Sequence, residues 1–382
     1  MNKLVISGYY GFGNAGDEAM LLAMVDALRG IDPQVAITVI SGNPGDTRLR
    51  HGVSAVHRLN LWEIARSIRN SDLLISGGGS LLQDVTSGRS IFYYLGIMQL
   101  ACWLGRPIML YAQGIGPIHS PMARTFMKHI GNCIVCGTVR DEGSLAELAG
   151  LGVVRPAVAV TADPVLALTP KSVSAGAGHA LIKELDLRGE GPLIGFSVRE
   201  WQGREHYKNV FAAVADRLVV ETGARILFIP MQWPDDVQAA RLVADRMQQP
   251  HGIIEKKCDT SELLSLVRNF DLLVGMRLHA LIFAAIMERP FVGVSYDPKI
   301  DRFLETLGES PAGTLETISS EGLMERILQV KNDSVTAVRL QRRVKELRAQ
   351  ALRNARCAMD LLGKKGERPP LSNNNKVNIE NK

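Results

Sequence analysis

The chain has 382 residues, 46% hydrophobic and 22% charged, which is enough for two ordinary domains because single hydrophobic cores stop growing at roughly 250 to 300 residues. This composition excludes disorder over most of the length. The formal charge of +5, from 44 basic and 39 acidic residues, lacks the clustered basicity of a nucleic-acid binder, and it leaves an anionic substrate or an anionic membrane surface open.

At the N-terminus Met1-Asn-Lys3 leads straight into the apolar run Leu4-Val-Ile-Ser7, with no secretory pattern, so a cytoplasmic location is expected. The glycine loop Tyr9 to Glu18 follows, then a helical pattern from Ala19 to Leu28. Strands are expected over 36–41, 72–75 and 107–111, with a helix over 61–69. Gly77-Gly-Gly-Ser80 is expected to present backbone N–H groups at the start of a helix beginning near Leu81, where an oxyanion or a sugar would bind. Glycine needed only for a tight turn is the alternative there. The apolar stretch Ile91 to Leu104 is shorter than the roughly 20 residues of a spanning helix and reads as a buried one. Five cysteines in a cytosolic chain suggest reduced thiols acting as small buried hydrophobes, with Cys133-Ile-Val-Cys136 too isolated for a zinc or redox site.

The second half repeats this order. Strands are expected over 193–198 and 225–229, with a helix from Tyr207 to Glu221 between them. Then Arg268-Asn-Phe-Asp-Leu-Leu-Val274 echoes Arg69-Asn-Ser-Asp-Leu-Leu-Ile75, and Glu288-Arg-Pro-Phe291 echoes Gly105-Arg-Pro-Ile108. Matches in the same order at similar spacing point to two Rossmann-like halves. The expected organisation is a first domain over 1–170, a Gly- and Ser-rich linker over 171–191 and a second domain over 192–335. A helix over 336–362 would pack back across the junction, and a tail over 363–382 would be disordered. The cations Arg339, Arg342, Arg343, Lys345, Arg348, Arg353 and Arg356 read first as a solvated helix face, with lipid headgroup contact as the alternative.

Gly11, Gly13 and Gly16 satisfy G-x-G-x-x-G, yet Ser41-Gly-Asn43 after the second strand offers no carboxylate for a ribose, which argues against a dinucleotide. A saccharide suits the loop better: its glycines admit a close ligand, and Asn14, Asp17 and Glu18 could hold or deprotonate sugar hydroxyls. Helix capping is the bland reading of both carboxylates. Arg140, Arg199 and Arg277 each follow an expected strand end, the edge where open α/β sheets bind ligands, and so suit an anion. His279 lies two residues beyond Arg277, behind Gly275, which permits a sharp exit from the strand.

Together Gly11-Phe-Gly-Asn-Ala-Gly-Asp-Glu18, Gly77-Gly-Gly79, Arg140-Asp141 and Met276-Arg-Leu-His279 resemble the polysaccharide pyruvyl transferases over about Gly8 to Pro298, most closely the bacterial enzymes that ketal-pyruvylate N-acetylmannosamine of secondary cell wall polymers. The resemblance implies an α/β fold with two Rossmann-like domains facing across a cleft, glycosyltransferase-B-like, the first on the acceptor side and the second on the donor side. It implies phosphoenolpyruvate as co-substrate and a lipid-linked saccharide as acceptor, with no cofactor, metal or nucleic acid. Arg277, Leu278 and His279 would contact the donor, with Arg140 as a further ligand and Arg199 carried over on weaker likeness. Gly13, Asn14, Asp17, Gly77, Gly78 and Gly79 would face the acceptor. His279 would act as general acid, and Asp17 or Glu18, on the opposing domain, as base. A location at the inner face of the cell membrane stays open. Two rival readings are a glycosyltransferase of the same fold using a nucleotide sugar, and a non-catalytic saccharide-binding protein.

Overall fold

Strands of a parallel sheet are covered on both faces and therefore read as short unbroken apolar runs. In the computed structural model, which describes residues 1–363 apart from 86, 87, 186 and 188, these runs form two parallel sheets. The chain divides into two compact units. One holds residues 1–12, 20–164 and those from 350, and the other holds 13–19 and 165–349.

The first unit contains β1 (Lys3–Ser7), most of α1 (Ala15–Ile31), β2 (Ala36–Ser41), α2 (Pro44–His51), β3 (Ser54–His57) and α3 (Leu61–Arg69). Next come β4 (Leu73–Ser76), β5 (Gly79–Leu82), α4 (Ser90–Trp103), β6 (Ile108–Ile115), α5 (Pro121–Gly131), β7 (Cys136–Val139), α6 (Glu142–Gly150) and β8 (Ala157–Val160). Its sheet runs β3-β2-β1-β4-β6-β7-β8, with β5 on the far part of β6. The second unit contains α7 (Gly176–Glu184), β9 (Leu193–Ser197), α8 (His206–Thr222), β10 (Arg225–Phe228), α9 (Asp235–Ala244), β11 (His251–Ile253) and α10 (Thr260–Arg268). Beyond these lie β12 (Leu272–Gly275), α11 (Leu278–Ile286), β13 (Phe291–Gly293), α12 (Pro298–Thr306), α13 (Ser320–Asn332) and the first half of α14 (Ser334–Gly363). Its sheet runs β11-β10-β9-β12-β13.

The echoed sequences do the same work in both units. Asn70 and Asn269 cap α3 and α10 at their C-termini. The Asp72 carboxylate accepts from the Lys3 amide at 2.9 Å, and that of Asp271 from the Leu193 amide at 2.7 Å, so each aspartate pins the first strand of its unit to the fourth. Gly105 and Glu288 both adopt positive φ, 65° and 57°, and the next amides, Arg106 and Arg289, fold back onto Ala101 and Ala284, each at 2.9 Å. The adjoining prolines, Pro107 and Pro290, accept from Leu74 and Leu273.

Four expectations change. Helix α1 begins at Ala15 because Asn14 caps it, its Oδ1 accepting from the Gly16 and Asp17 amides at 2.9 and 3.2 Å. Asp17 and Glu18 thus sit in its first turn, where Asn14 supplies the cap to the Gly16 and Asp17 amides. The segment after Gly77-Gly78 is not a helix start but strand β5: β6 runs past a bulge at Ala112 (φ 46°) and offers a free edge that Gly79–Leu82 fills. Residues 171–191 include α7, packed on α10, where a Cβ on Gly178 would lie 2.4 Å from the Ser265 carbonyl; these small residues allow close packing. The cysteines are free thiols but none is fully buried, and Cys133 is exposed. The expected tail lies outside the described residues beyond Gly363.

Helix α14 joins the first unit through Ala355, Ala358 and Leu362, buried in its core, and through fully buried Asn354, which bonds Thr161 Oγ1 at 2.7 Å and the Ala162 carbonyl at 3.1 Å. Several of its cations are engaged within the second unit, Arg339 with Glu309 and Arg343 with Glu346 and the Thr306 carbonyl. No described helix is long and apolar enough to cross a membrane.

Candidate functional site

In the second unit the C-terminal ends of β9, β10, β12 and β13 gather a set of charged and aromatic side chains. β12 stops at Gly275, and Arg277 takes the N-cap position of α11 in an extended conformation. Its guanidinium is forked onto Asp236: Nε donates to Oδ2 at 2.9 Å and Nη2 donates to Oδ1. Asp236 is 1% exposed, and its Oδ2 also accepts from the Met231 and Gln232 amides at 3.0 and 2.9 Å. A carboxylate holding three groups in this way fixes the guanidinium plane and leaves the Nη1 side for a second anion. Burial works to lower the Arg277 pKa, but the charge of Asp236 and its hydrogen bonds outweigh it and hold the value above the ordinary one.

Arg199 follows β9. Its Nη1 donates to Tyr296 Oη at 2.8 Å, and its guanidinium lies 5.0 Å from the Trp201 ring and 5.2 Å from that of Tyr296. The loop is held from beneath: Tyr207 Oη donates to the Arg199 carbonyl at 2.8 Å, and nearly buried Lys208 bonds Glu200 at 2.7 Å. Tyr296 follows β13, and Lys299, in the first turn of α12, has its ammonium 5.5 Å from the Tyr296 ring. Burial alone would push the Tyr296 phenol up, but the positive charges of Lys299, Arg199 and Arg277 outweigh it and hold its pKa below the ordinary value. Three cations thus converge on one partly buried phenol, an environment suited to a multiply charged anion.

His279 lies in the first turn of α11 and packs on the glycine loop. Residues 13–19 group with this unit: the Ala15 amide donates to the Met231 carbonyl at 2.8 Å, and Asn14 bridges Gln232. A Cβ on Gly16 would fall 2.0 Å from His279 Nδ1, so only glycine admits the imidazole at this position. The third glycine of G-x-G-x-x-G therefore seats a histidine, and Asp17 and Glu18 come directly after it, in the same unit as His279 and not opposite it. Glu18 is 8% exposed. Gly13 lies against Lys257, with the lysine Cε 3.5 Å from where a Cβ would stand. Leu278 is buried at 5% exposure, so its ligand contact would run through the backbone.

The remaining expected site residues belong to the first unit. Arg140 follows β7; its Nη2 donates to Ser80 Oγ at 2.8 Å, and its guanidinium lies within 3.5 Å of Asp141 and 3.7 Å of Asp163. Gly77 donates its N–H to the Ser7 carbonyl at 2.8 Å and is overlaid by Tyr10, while Gly78 abuts Met20 and Pro164. Steric demand accounts for those two glycines, and Gly79 is required by its φ of 97°.

The sequence reading missed Asp236, Tyr296 and Lys299. The last two had a usable signal: Phe291-Val-Gly293 is a short strand, and Asp297-Pro298 is a helix start, Asp297 accepting from the Lys299 amide at 3.0 Å, so both follow a strand end as Arg277 does. Asp236 had none, because its role depends on β10 and β12 ending on the same edge. Among the described residues no group of three or more His, Cys, Asp or Glu is placed to hold a metal ion.

Comparison with known proteins bears on this arrangement. In the S. aureus MnaA–UDP co-structure, 97% of this chain aligns with 99% of that one at a TM-score of 0.68 and 12% identity. E. coli ADP-heptose LPS heptosyltransferase II aligns over 87% of this chain and 98% of its own, with a TM-score of 0.52 and 15% identity. These likenesses establish the fold: α/β, with the two Rossmann-like domains of glycosyltransferase-B-type enzymes. Among curated proteins, the amylovoran biosynthesis protein AmsJ of Erwinia amylovora is 20% identical over 363 residues, covering 80% of this chain and 86% of AmsJ. The family profile described as polysaccharide pyruvyl transferase matches residues 14–298, a span that includes Asn14 to Glu18 at the end of the glycine loop, Arg140, Arg199 and the Arg277 to His279 turn. The chain belongs to the polysaccharide pyruvyl transferase family of enzymes, which act in polysaccharide biosynthesis.

Proposed function

We propose that this enzyme transfers pyruvate from phosphoenolpyruvate to two hydroxyls of an N-acetylmannosamine residue on a lipid-linked saccharide, forming a cyclic 4,6-ketal and releasing phosphate, as a step in making a secondary cell wall polymer. The observation that carries the donor assignment is the convergence of Arg199, Arg277 and Lys299 on Tyr296. Phosphoenolpyruvate carries a phosphate and a carboxylate on one small frame, and a cluster of cations can bind both while stabilising phosphate as it leaves.

The enol phosphate becomes electrophilic at C2 once its methylene carbon is protonated. His279, held against Gly16, is the proposed acid for that carbon. One sugar hydroxyl adds to C2, phosphate departs with its bridging oxygen, and the second hydroxyl closes the ketal; phosphate and the base take up the hydroxyl protons. Asp17 or Glu18, next to Gly16 in the same unit, is the proposed base. We assign Gly13, Asn14 and the Gly77 to Gly79 turn to acceptor contacts and Arg140 to a further anionic group. No step calls for a cofactor. Mass spectrometry of a synthetic lipid-linked disaccharide after incubation with phosphoenolpyruvate tests the reading. A ketal product with one phosphate released per pyruvate added is expected. Uridine diphosphate release from a nucleotide sugar, with no phosphate from phosphoenolpyruvate, would replace it with glycosyl transfer, and binding without turnover would leave a saccharide-binding protein.

A further inference from the structure

The turn from β3 into α3 exposes three large apolar side chains within four residues: Leu59 at 71%, Leu61 at 64% and Trp62 at 69% exposure. Helix α3 already buries Ile64 and Ile68 in the core, so these three are surplus to folding. Cations border them. The Arg66 guanidinium lies 5.5 Å from the Trp62 ring, Arg69 ends the helix, and Arg58, next to Leu59, is stacked between Phe12 at 5.1 Å and Tyr93 at 4.7 Å. Glu63 is the acidic residue of that stretch.

We infer that Leu59, Leu61 and Trp62 form a wedge by which the first unit docks on an anionic lipid bilayer. Three side chains on a turn are too few for a stable protein interface, which buries about 800 Å² per partner. They are enough to enter the headgroup boundary, where tryptophan is favoured and neighbouring arginines meet anionic lipid. Topology supports the choice. β3 ends on the same sheet edge as β1 and β4, so the turn adjoins the loop that carries Phe12, and Arg58 links the two. A sugar entering this edge would leave its lipid anchor beside the wedge. Helix α14, the more basic element, is the weaker candidate because Arg339 and Arg343 are already paired with carboxylates. The purpose of docking rests on the proposed lipid-linked acceptor, but vesicle binding is measured without donor or acceptor, so either can fail alone.

The test is flotation of the full chain with vesicles of phosphatidylcholine containing about a third phosphatidylglycerol, against phosphatidylcholine alone. Wild type should float with the anionic vesicles, and the triple variant Leu59→Ser, Leu61→Ser, Trp62→Ser should lose about tenfold or more in partitioning. Brominated lipid provides a second readout that needs no folded triple variant: it should quench wild-type tryptophan fluorescence, and the quenching should vanish in Trp62→Phe while persisting in Trp103→Phe. The inference is overturned if wild type does not float, if the triple variant floats equally well, or if Arg342→Glu with Lys345→Glu abolishes binding while the triple variant binds normally. It is also overturned if the triple substitution instead converts a dimer to a monomer, which would make the turn a contact between copies.

Discussion

The ends of β4 and β12 are built alike and then part. Each is preceded by an asparagine-capped helix end, each begins beside an aspartate that bonds the amide of its unit's first strand, and each accepts its next strand through an Arg-Pro turn of the same hand. Beyond the last strand residue the two diverge. β4 runs into Gly77 and Gly78, overlaid by Tyr10 and Met20, and on into β5, whereas β12 delivers Arg277 to a cluster of cations and His279 to the glycine loop. Repetition preserved the contacts that hold the sheets together and left the loops beyond the strand ends free to change. That is the usual economy of α/β enzymes, in which a fixed sheet carries variable loops.

The likeness of the two strand ends breaks most sharply at His279. Changing it to Ala should lower turnover by about 10² to 10⁴-fold if it is the acid, with the thermal midpoint little altered, as single-turnover assays and thermal melts would show. Loss of folding instead of turnover would make the histidine a packing residue like Tyr10. Next in size is Asp236. Asp236→Asn breaks the charge pair under Arg277 yet can keep an oxygen for the Met231 and Gln232 amides, so the donor KM should rise about 10 to 100-fold with a smaller change in kcat. Asp236→Ala should cost stability as well, by about 3 kcal/mol, because a largely buried guanidinium is left unpaired.

Tyr296 offers a pH test of the cation cluster. Its pKa is depressed, so ionisation is favoured in the folded state; the stability this brings is present above the unfolded phenol's pKa and is lost as pH falls through the folded value. Ultraviolet titration of wild type against Tyr296→Phe should show one phenol ionising below the ordinary tyrosine value of about 10. Lys299→Ala or Arg199→Ala should move it upward, since burial then acts with less opposition. An unchanged midpoint in both variants would separate these cations from the phenol. The smallest effects test the shared scaffold. Asp72→Ala and Asp271→Ala should each cost about 1 to 3 kcal/mol in denaturant unfolding. Glu288→Gly should gain about 1 kcal/mol by giving its positive φ the residue Gly105 already supplies.

The repeat was legible because Arg-Asn-x-Asp-Leu-Leu and Arg-Pro recur as short strings that carry the same devices in each half, a helix end, a carboxylate that holds the first strand and a left-handed turn. The ends of β7, β9 and β12 were legible to within a residue as the ends of apolar runs, and with them the placement of Arg140, Arg199 and Arg277. The features that stayed hidden depend on neighbours far along the chain. Asp236 reaches Arg277 across 41 positions, Gly16 seats a histidine from the other half, and Gly79 joins a strand only because β6 bulges and outruns β4. The packing of Tyr10, Met20 and Pro164 against Gly77 and Gly78 was hidden too, because a triple glycine carries no record of the neighbours above it.

The most direct test of the proposed reaction is incubation of the purified enzyme with phosphoenolpyruvate and a synthetic lipid-linked disaccharide ending in N-acetylmannosamine, followed by mass spectrometry and phosphate determination, with Arg277→Ala alongside. A pyruvate ketal on the mannosamine and one phosphate per ketal are expected in wild type, with both reduced by about 10²-fold or more in the variant. An unmodified acceptor with no phosphate released, from a folded enzyme that turns over a nucleotide sugar instead, would contradict pyruvyl transfer.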